Sequence, residues 1–317
     1  MKLIKKEFIF GEPLPTPECH ASTIAVLDDG TAVAAWFGGT KEGAADVLIW
    51  YSRRENGTWS RPEAIPSKEV ITHWNPVLYQ TAPDTLSLYY KKGPQIPYWQ
   101  TMVTTSHDFG CHWSEPAALV PDDTSGGRGP VKNKPITLSD GTLLAPASTE
   151  QGKWRCFADR FDGQVWTKHP IPVNPGEPDT FGVIQPTLWE SENGCVHALM
   201  RSNMEKIYRS DSQDLGKTWC AAYPTELPNN NSGIDLTMTE DHTLVLVCNP
   251  VGEDWGPRTP ITVYTSRDNG MTFEKALDLE TEAGEFSYPA IVCKGTRIYI
   301  TYTYKRKTIA FCELEME

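Results

Sequence analysis

The chain has 317 residues, 39% of them hydrophobic, and carries 29 basic against 41 acidic side chains for a formal charge of −12. That balance argues against nucleic acid or an anionic membrane as partner, and a chain of this length can bury a core without covalent staples. The eight cysteines show no CxxC pair or zinc-like spacing and no apolar run reaches signal-peptide or membrane-spanning length, so reduced thiols, no cofactor and a cytoplasmic location are expected.

Leu3 to Phe10 opens the chain as an extended segment. Ala21 to Trp36 then reads as two strands around the turn Asp28-Asp29-Gly30, and Ser52 to Trp59 closes on an aromatic ring. The same alternation recurs. Pro76 to Tyr90 precedes Ser106-His-Asp108-Phe-Gly110-Cys-His-Trp113, and Pro135 to Pro146 precedes a degenerate copy from Asp159 to Trp166. Pro186 to Arg201 precedes Ser212-Gln-Asp214-Leu-Gly216-Lys-Thr218-Trp219, and Ile234 to Asn249 precedes Ser266-Arg-Asp268-Asn-Gly270-Met-Thr272-Phe273. Pro289 to Tyr304 and Thr308 to Leu314 finish the chain.

Trp59, Trp113, Trp166, Trp219 and Phe273 stand 54, 53, 53 and 54 residues apart, which marks one unit copied along the chain. Each aromatic turn suits a hairpin: the Asp bonds backbone amides, the Gly takes a positive φ and the ring packs beneath. Six extended pairs in 317 residues return the same period, since 317/6 is about 53. The expectation is all-β: one six-bladed propeller domain over residues 1–317, four antiparallel strands per blade, with Leu3 to Phe10 completing the last blade beside Thr308 to Leu314.

In such a propeller the starts of inner strands and the ends of second strands share one face, and the aromatic turns lie on the other. The first face collects His20, Asn75, Lys132, Lys134, Gln185, Asp235 and Tyr288 from inner strands. Second-strand ends and loops add Glu42, Asp46, Glu150, Arg201, Arg258 and Arg306. So many charges where strands converge imply a polar ligand, and the cations favour an anionic one. Arginines paired with Glu42, Glu150 or Asp235 are the alternative. Blades 1 and 6 meet on closure, which predicts that His20 approaches Tyr288 within hydrogen-bond reach and acts as its base.

These turns and strands together resemble the sialidase superfamily, specifically the predicted neuraminidases with Asp-box (BNR) repeats, over essentially the whole chain. The resemblance implies three arginines on a substrate carboxylate, a tyrosine nucleophile with a glutamate partner, and a mobile aspartate as general acid. Tyr288, in Phe286-Ser-Tyr288-Pro289, matches the nucleophile, and Arg201 and Arg258 match two of the arginines. Two positions depart from the pattern. Gln185 stands where the glutamate is implied, and Glu18-Cys-His20-Ala-Ser-Thr-Ile replaces the segment that bears the third arginine. For the acid, Gly38-Gly-Thr-Lys-Glu42-Gly-Ala-Ala-Asp46 offers Glu42, the preferred candidate, and Asp46. Lys132, Lys134, Asn75, Gln185 and Asp235 complete the expected substrate contacts, with Trp36, Trp74, Trp99 and Trp255 available to stack on sugar faces. The implied activity is hydrolysis of an acidic glycoside by a tyrosine nucleophile. A His20/Tyr288 uronate lyase and a non-catalytic glycan-binding propeller stand as alternatives.

Overall fold

The computed structural model describes residues 1–316 and contains six antiparallel sheets arranged as the blades of a propeller. The inner strands are Glu18–Val26, His73–Ala82, Ile136–Thr137, Val183–Glu190, Asp235–Met238 and Phe286–Lys294, for blades 1 to 6 in that order. Each blade has four strand positions; in blade 1 the outermost is split into Thr58–Trp59 and Glu63–Ala64, both paired with Leu48–Glu55. Blade 6 is closed by the N-terminal strand Lys2–Phe8, whose Phe8 pairs with Ala310 and Leu3 with Leu314. That pairing is the closure expected from the repeat, and it leaves no open sheet edge between the chain ends.

The blades are held by apolar seams. Leu78, Leu88 and Tyr90 of blade 2 pack with Val33, Ala35 and Phe37 of blade 1, equivalent clusters join blades 3 to 6 in turn and blade 6 to blade 1, and a smaller one of Trp74, Trp99 and Val131 lies between blades 2 and 3. The aromatic turns are built by side-chain-to-backbone bonds. In the blade 4 copy Asp214 Oδ1 accepts from Thr218 N at 2.8 Å and from Ser212 Oγ at 2.8 Å, while Ser212 Oγ accepts from Gly216 N at 3.0 Å. The copies at Asp108 and Asp268 repeat this pattern. In the degenerate blade 3 copy an aspartate replaces the serine. Asp159 is buried and takes two 2.9 Å bonds from Arg128, and Asp162 caps the turn instead through the amides of Gln164 and Val165.

One further backbone device sets up the opposite face. Four inner strands lose register near their first residues, and at each shift one residue adopts a left-handed conformation: Ala21 (φ 55°), Asn75 (40°), Gln185 (53°) and Tyr288 (53°). These are β-bulges, which bend a strand and re-aim one side chain; each non-glycine residue held there costs about 1 kcal/mol or more. Three of the four bulge residues, Asn75, Gln185 and Tyr288, line one cavity. No helix among the described residues is long and apolar enough to cross a membrane.

Candidate active site

The cavity has a volume of about 200 Å³ and lies at the mouth formed by the inner-strand starts and the loops that follow the second strands. A larger hollow of about 620 Å³ beside Ser139, Glu190 and His242 sits on the aromatic-turn face, without a comparable convergence of arginines. Around the smaller cavity stand Arg201 at the end of Val196–Ser202, Arg258 before Ile261–Ser266, and Arg306 after Arg297–Tyr304. They occupy neighbouring blades 4, 5 and 6.

Each guanidinium is fixed on one side and free on the other. Arg201 Nε donates to Asn231 Oδ1 at 2.7 Å, and its Nη1 donates to Gln185 Oε1 at 3.2 Å and Tyr288 Oη at 2.6 Å. Its plane also lies 5.7 Å from the rings of both Trp154 and Trp255. Arg258 Nη1 donates to Glu285 Oε1 at 2.7 Å. Arg306 Nε donates to Glu285 Oε2 at 2.9 Å and its Nη1 to Glu42 Oε2 at 2.6 Å. Among the described residues no Nη2 of the three arginines has a hydrogen-bond partner, so three cationic donors remain for an anion.

Tyr288 sits where these groups meet. Its hydroxyl accepts from Arg201 Nη1 and from Gln185 Nε2 at 3.3 Å. The ring is bracketed by Arg258 at 5.6 Å, Arg201 at 5.8 Å and Lys132 at 5.9 Å. Close packing beneath it depends on Gly233, where a Cβ would come within 3.1 Å of Lys132 Cε and 3.3 Å of Tyr288 Cγ.

His20 reaches Tyr288 by ring contact and not by the expected hydrogen bond. The ring centroids are 4.3 Å apart, and His20 Nδ1 bonds Thr303 Oγ1 at 2.9 Å. Burial, reinforced by the charges of Arg306, Arg258 and Arg201, holds the imidazole well below its ordinary range, which makes it a weak base. Its place in the site is to brace the tyrosine ring.

Several expected contacts lie elsewhere. Lys132 is buried beneath the cavity, where its Nζ donates to Asn133 Oδ1, Ile234 O and Pro289 O. Lys134 donates to both carboxylate oxygens of Asp235, and Asp235 also accepts from Thr187 Oγ1 and Ile291 N. Lys132, Lys134 and Asp235 therefore tie the inner strands together around the axis and do not line the cavity. Asp46 turns away as well, accepting from Thr40 N at 3.0 Å and Thr40 Oγ1 at 2.5 Å as a loop brace. Trp36 is fully buried against Phe10 and cannot meet a sugar. Trp74, Trp99 and Trp255 do line the cavity, joined by Trp154.

The sequence places Arg306 and Glu150 on this face without an individual part in the clamp or the chemistry, and it singles out neither Glu285 nor Trp154. The period points only near Arg306, because 306 − 201 = 105 is close to two repeat lengths, while the register makes Thr303 the blade 6 counterpart of Arg201 and puts Arg306 three residues further on, in the turn. Arg306 thus joins Arg201 and Arg258 at the cavity from the opposite end of the chain. Burial pushes the Glu285 carboxyl up, but Arg306 and Arg258 outweigh it and hold it below its usual range. Glu150 behaves in the opposite way. Burial raises it, Arg201 only partly offsets this, and no hydrogen bond or ion pair reaches it from the described residues. Among the described residues no group of three or more His, Cys, Asp or Glu side chains is placed to hold a metal ion.

A model of the BNR repeat-like domain matches residues 30–300. Among curated proteins, none matches the sequence. A protein of unknown function from Dyadobacter fermentans superposes with a TM-score of 0.80 at 17% identity, covering 100% of this chain and 99% of that one. The NanB sialidase of Streptococcus pneumoniae gives 0.75 at 12% identity, covering 98% and 70% of the two chains. Trypanosoma rangeli sialidase in complex with sialic acid gives 0.72 at 15% identity, covering 99% and 57%. At these identities the structural likeness speaks for the fold alone.

Proposed function

The chain belongs to the BNR repeat-like domain family, within the sialidase-like propellers, and from that premise we propose that it is a glycoside hydrolase that removes an acidic sugar, sialic acid or a relative, from a glycan. The observation that carries this reading is that Arg201, Arg258 and Arg306, each with an Nη2 that no described residue bonds, line one cavity together with Tyr288, whose hydroxyl Arg201 touches. Planar guanidinium forks suit a carboxylate, and a cavity of about 200 Å³ suits one sugar ring.

In this reading Arg201, Arg258 and Arg306 hold the carboxylate, with Gln185 and Asn75 lining the ring position. Tyr288 Oη attacks the anomeric carbon, and water then releases the sugar from the tyrosine. A phenol suits this carbon because an ionised Asp or Glu would be repelled by the neighbouring carboxylate. Arg201 and Gln185 both donate to the phenolic oxygen and favour the negative charge it carries during attack. Glu42, the acid expected from the loop sequence, is clipped to Arg306 and serves that arginine.

Gln185 favours a second reading, because an amide cannot take the phenol's proton: the same pocket would then bind acidic glycans without turnover. Acidic glycosides incubated with the wild type and with Tyr288→Phe, with release followed by mass detection and binding by calorimetry, separate the two. Hydrolysis lost in Tyr288→Phe with binding retained supports the enzyme. Binding with no release by either protein supports the lectin-like alternative.

A further inference from the structure

We propose that Glu150 is the proton donor to the leaving-group oxygen, a role that rests on the hydrolytic reading above and adds a residue to it. The three arginines stand side by side on blades 4, 5 and 6, so the carboxylate they grip anchors the acidic end of the sugar over that half of the mouth. The leaving group then points across the cavity towards blades 1 to 3.

Three carboxyl groups stand at or beneath this cavity. Glu285 accepts from Arg258 and Arg306, and Glu42 accepts from Arg306. Both are engaged as counter-ions, and a carboxylate bonded to a guanidinium accepts hydrogen bonds but has no proton to give. Glu150 follows Leu143–Thr149 on blade 3, outside the three blades that carry the arginines, and lines the cavity. No described residue bonds it, and burial, with the nearby Glu42 charge adding to it and Arg201 partly offsetting it, moves its carboxyl above the usual range, the direction a proton donor needs. A neutral carboxyl facing the leaving group is what general acid catalysis requires. As Tyr288 Oη bonds to the anomeric carbon, the bond to the leaving oxygen breaks. That oxygen keeps the electron pair and takes the Glu150 proton. The Glu150 carboxylate then accepts a proton from the water that displaces Tyr288, and the phenolic proton, given up to solvent water on attack, returns from solvent as the tyrosine leaves, which restores the starting state.

The test uses two substrates that share the acidic sugar, one with a nitrophenyl leaving group and one with a sugar alcohol. A nitrophenolate leaves without protonation, so Glu150→Gln is expected to change its first step by less than about 3-fold while slowing the alcohol substrate about 100-fold or more. The titratable groups around the cavity are Arg201, Glu42, Arg258, Arg306, His20 and Tyr288. The alkaline limb of the wild-type profile on the alcohol substrate, where a proton donor is lost, should disappear in Glu150→Gln. Equal slowing of both substrates, or of neither, overturns the assignment while leaving the hydrolase intact. If the wild type hydrolyses neither substrate, the hydrolytic reading and the assignment fall together.

Discussion

The carboxylate clamp is most directly tested at Arg201. Arg201→Met keeps an apolar stem between Trp154 and Trp255 but removes the charge and every guanidinium donor. One free Nη2 faces the cavity, and a charge-assisted hydrogen bond contributes about 1.5–3 kcal/mol, so affinity for an acidic sugar should fall about 10- to 150-fold. Stability should change less. Arg201 is only 3% exposed, but the groups it leaves, Asn231 Oδ1, Gln185 Oε1 and Tyr288 Oη, border a cavity that water can enter. Removing one of three adjacent cations also relieves repulsion, and the net loss should be about 1 kcal/mol. The assay is calorimetric titration of both proteins with N-acetylneuraminic acid and with its methyl ester, alongside thermal melts. The difference between the two losses isolates the contact between Arg201 and the carboxylate. An equal loss on acid and ester would show that Arg201 shapes the pocket without gripping the charge, and the clamp would be refuted.

Glu42→Gln should leave stability within about 1 kcal/mol, because the pair with Arg306 is partly exposed, at 39% and 24% for the two side chains. It removes the competing negative charge while its amide oxygen can still hold Arg306 in place, so affinity for the acid should rise a few-fold; a tenfold fall would instead mean that Glu42 touches the ligand. Asp214→Ala removes the acceptor for Thr218 N, Thr218 Oγ1, Lys217 N and Ser212 Oγ and should cost about 1 kcal/mol in a denaturant melt, with turnover unchanged because the turn lies on the opposite face. Burial pulls Asp214 upward, yet these bonds hold it at about 2, and bonds from Thr272 hold Asp268 at about 2. Both folded-state values lie below the unfolded one near 4. The stability these carboxylates supply is therefore complete above pH 4 and lost as pH falls towards 2. In that window the melting temperature of Asp214→Ala should fall less steeply than that of the wild type.

The propeller was legible because its signals are local. The aromatic turns need Ser, Asp and Gly at fixed offsets, and the period then places every blade, including Lys2–Phe8 against Thr308–Glu315. The cavity was legible in part. His20, Asn75, Gln185, Tyr288, Glu42, Arg201 and Arg258 all reach it, since inner-strand starts and second-strand ends do share that face. Lys132, Lys134 and Asp235 do not, although they occupy similar places along their strands. In a strand, a shift of one residue exchanges the two faces, and the bulges that make this shift in blades 1, 2, 4 and 6 leave no composition signal. Trp36 fails for the related reason that it lies inside Ala32–Gly39, paired to Trp50, and not at its rim.

Charge counting around the cavity ties these particulars together. Arg201, Arg258 and Arg306 bring three positive charges, while Glu285 and Glu42 bring two negative ones, each held in place by an arginine. With His20 neutral, the three arginines and the two glutamates that pair with them sum to +1, inside a chain whose formal charge is −12. A single carboxylate cancels that residue of charge, and a dianion overshoots it. The two paired glutamates have a second consequence. Without them three guanidiniums at a desolvated mouth would repel one another, and their orientation would have to be supplied by the ligand at the moment of binding. With them Arg258 and Arg306 are held at the cavity beforehand, which lowers the cost of assembling the site around an incoming carboxylate. The same logic explains why a carboxyl meant to give up a proton stands on blade 3, where no arginine bonds it, and not in the loop that holds Glu42.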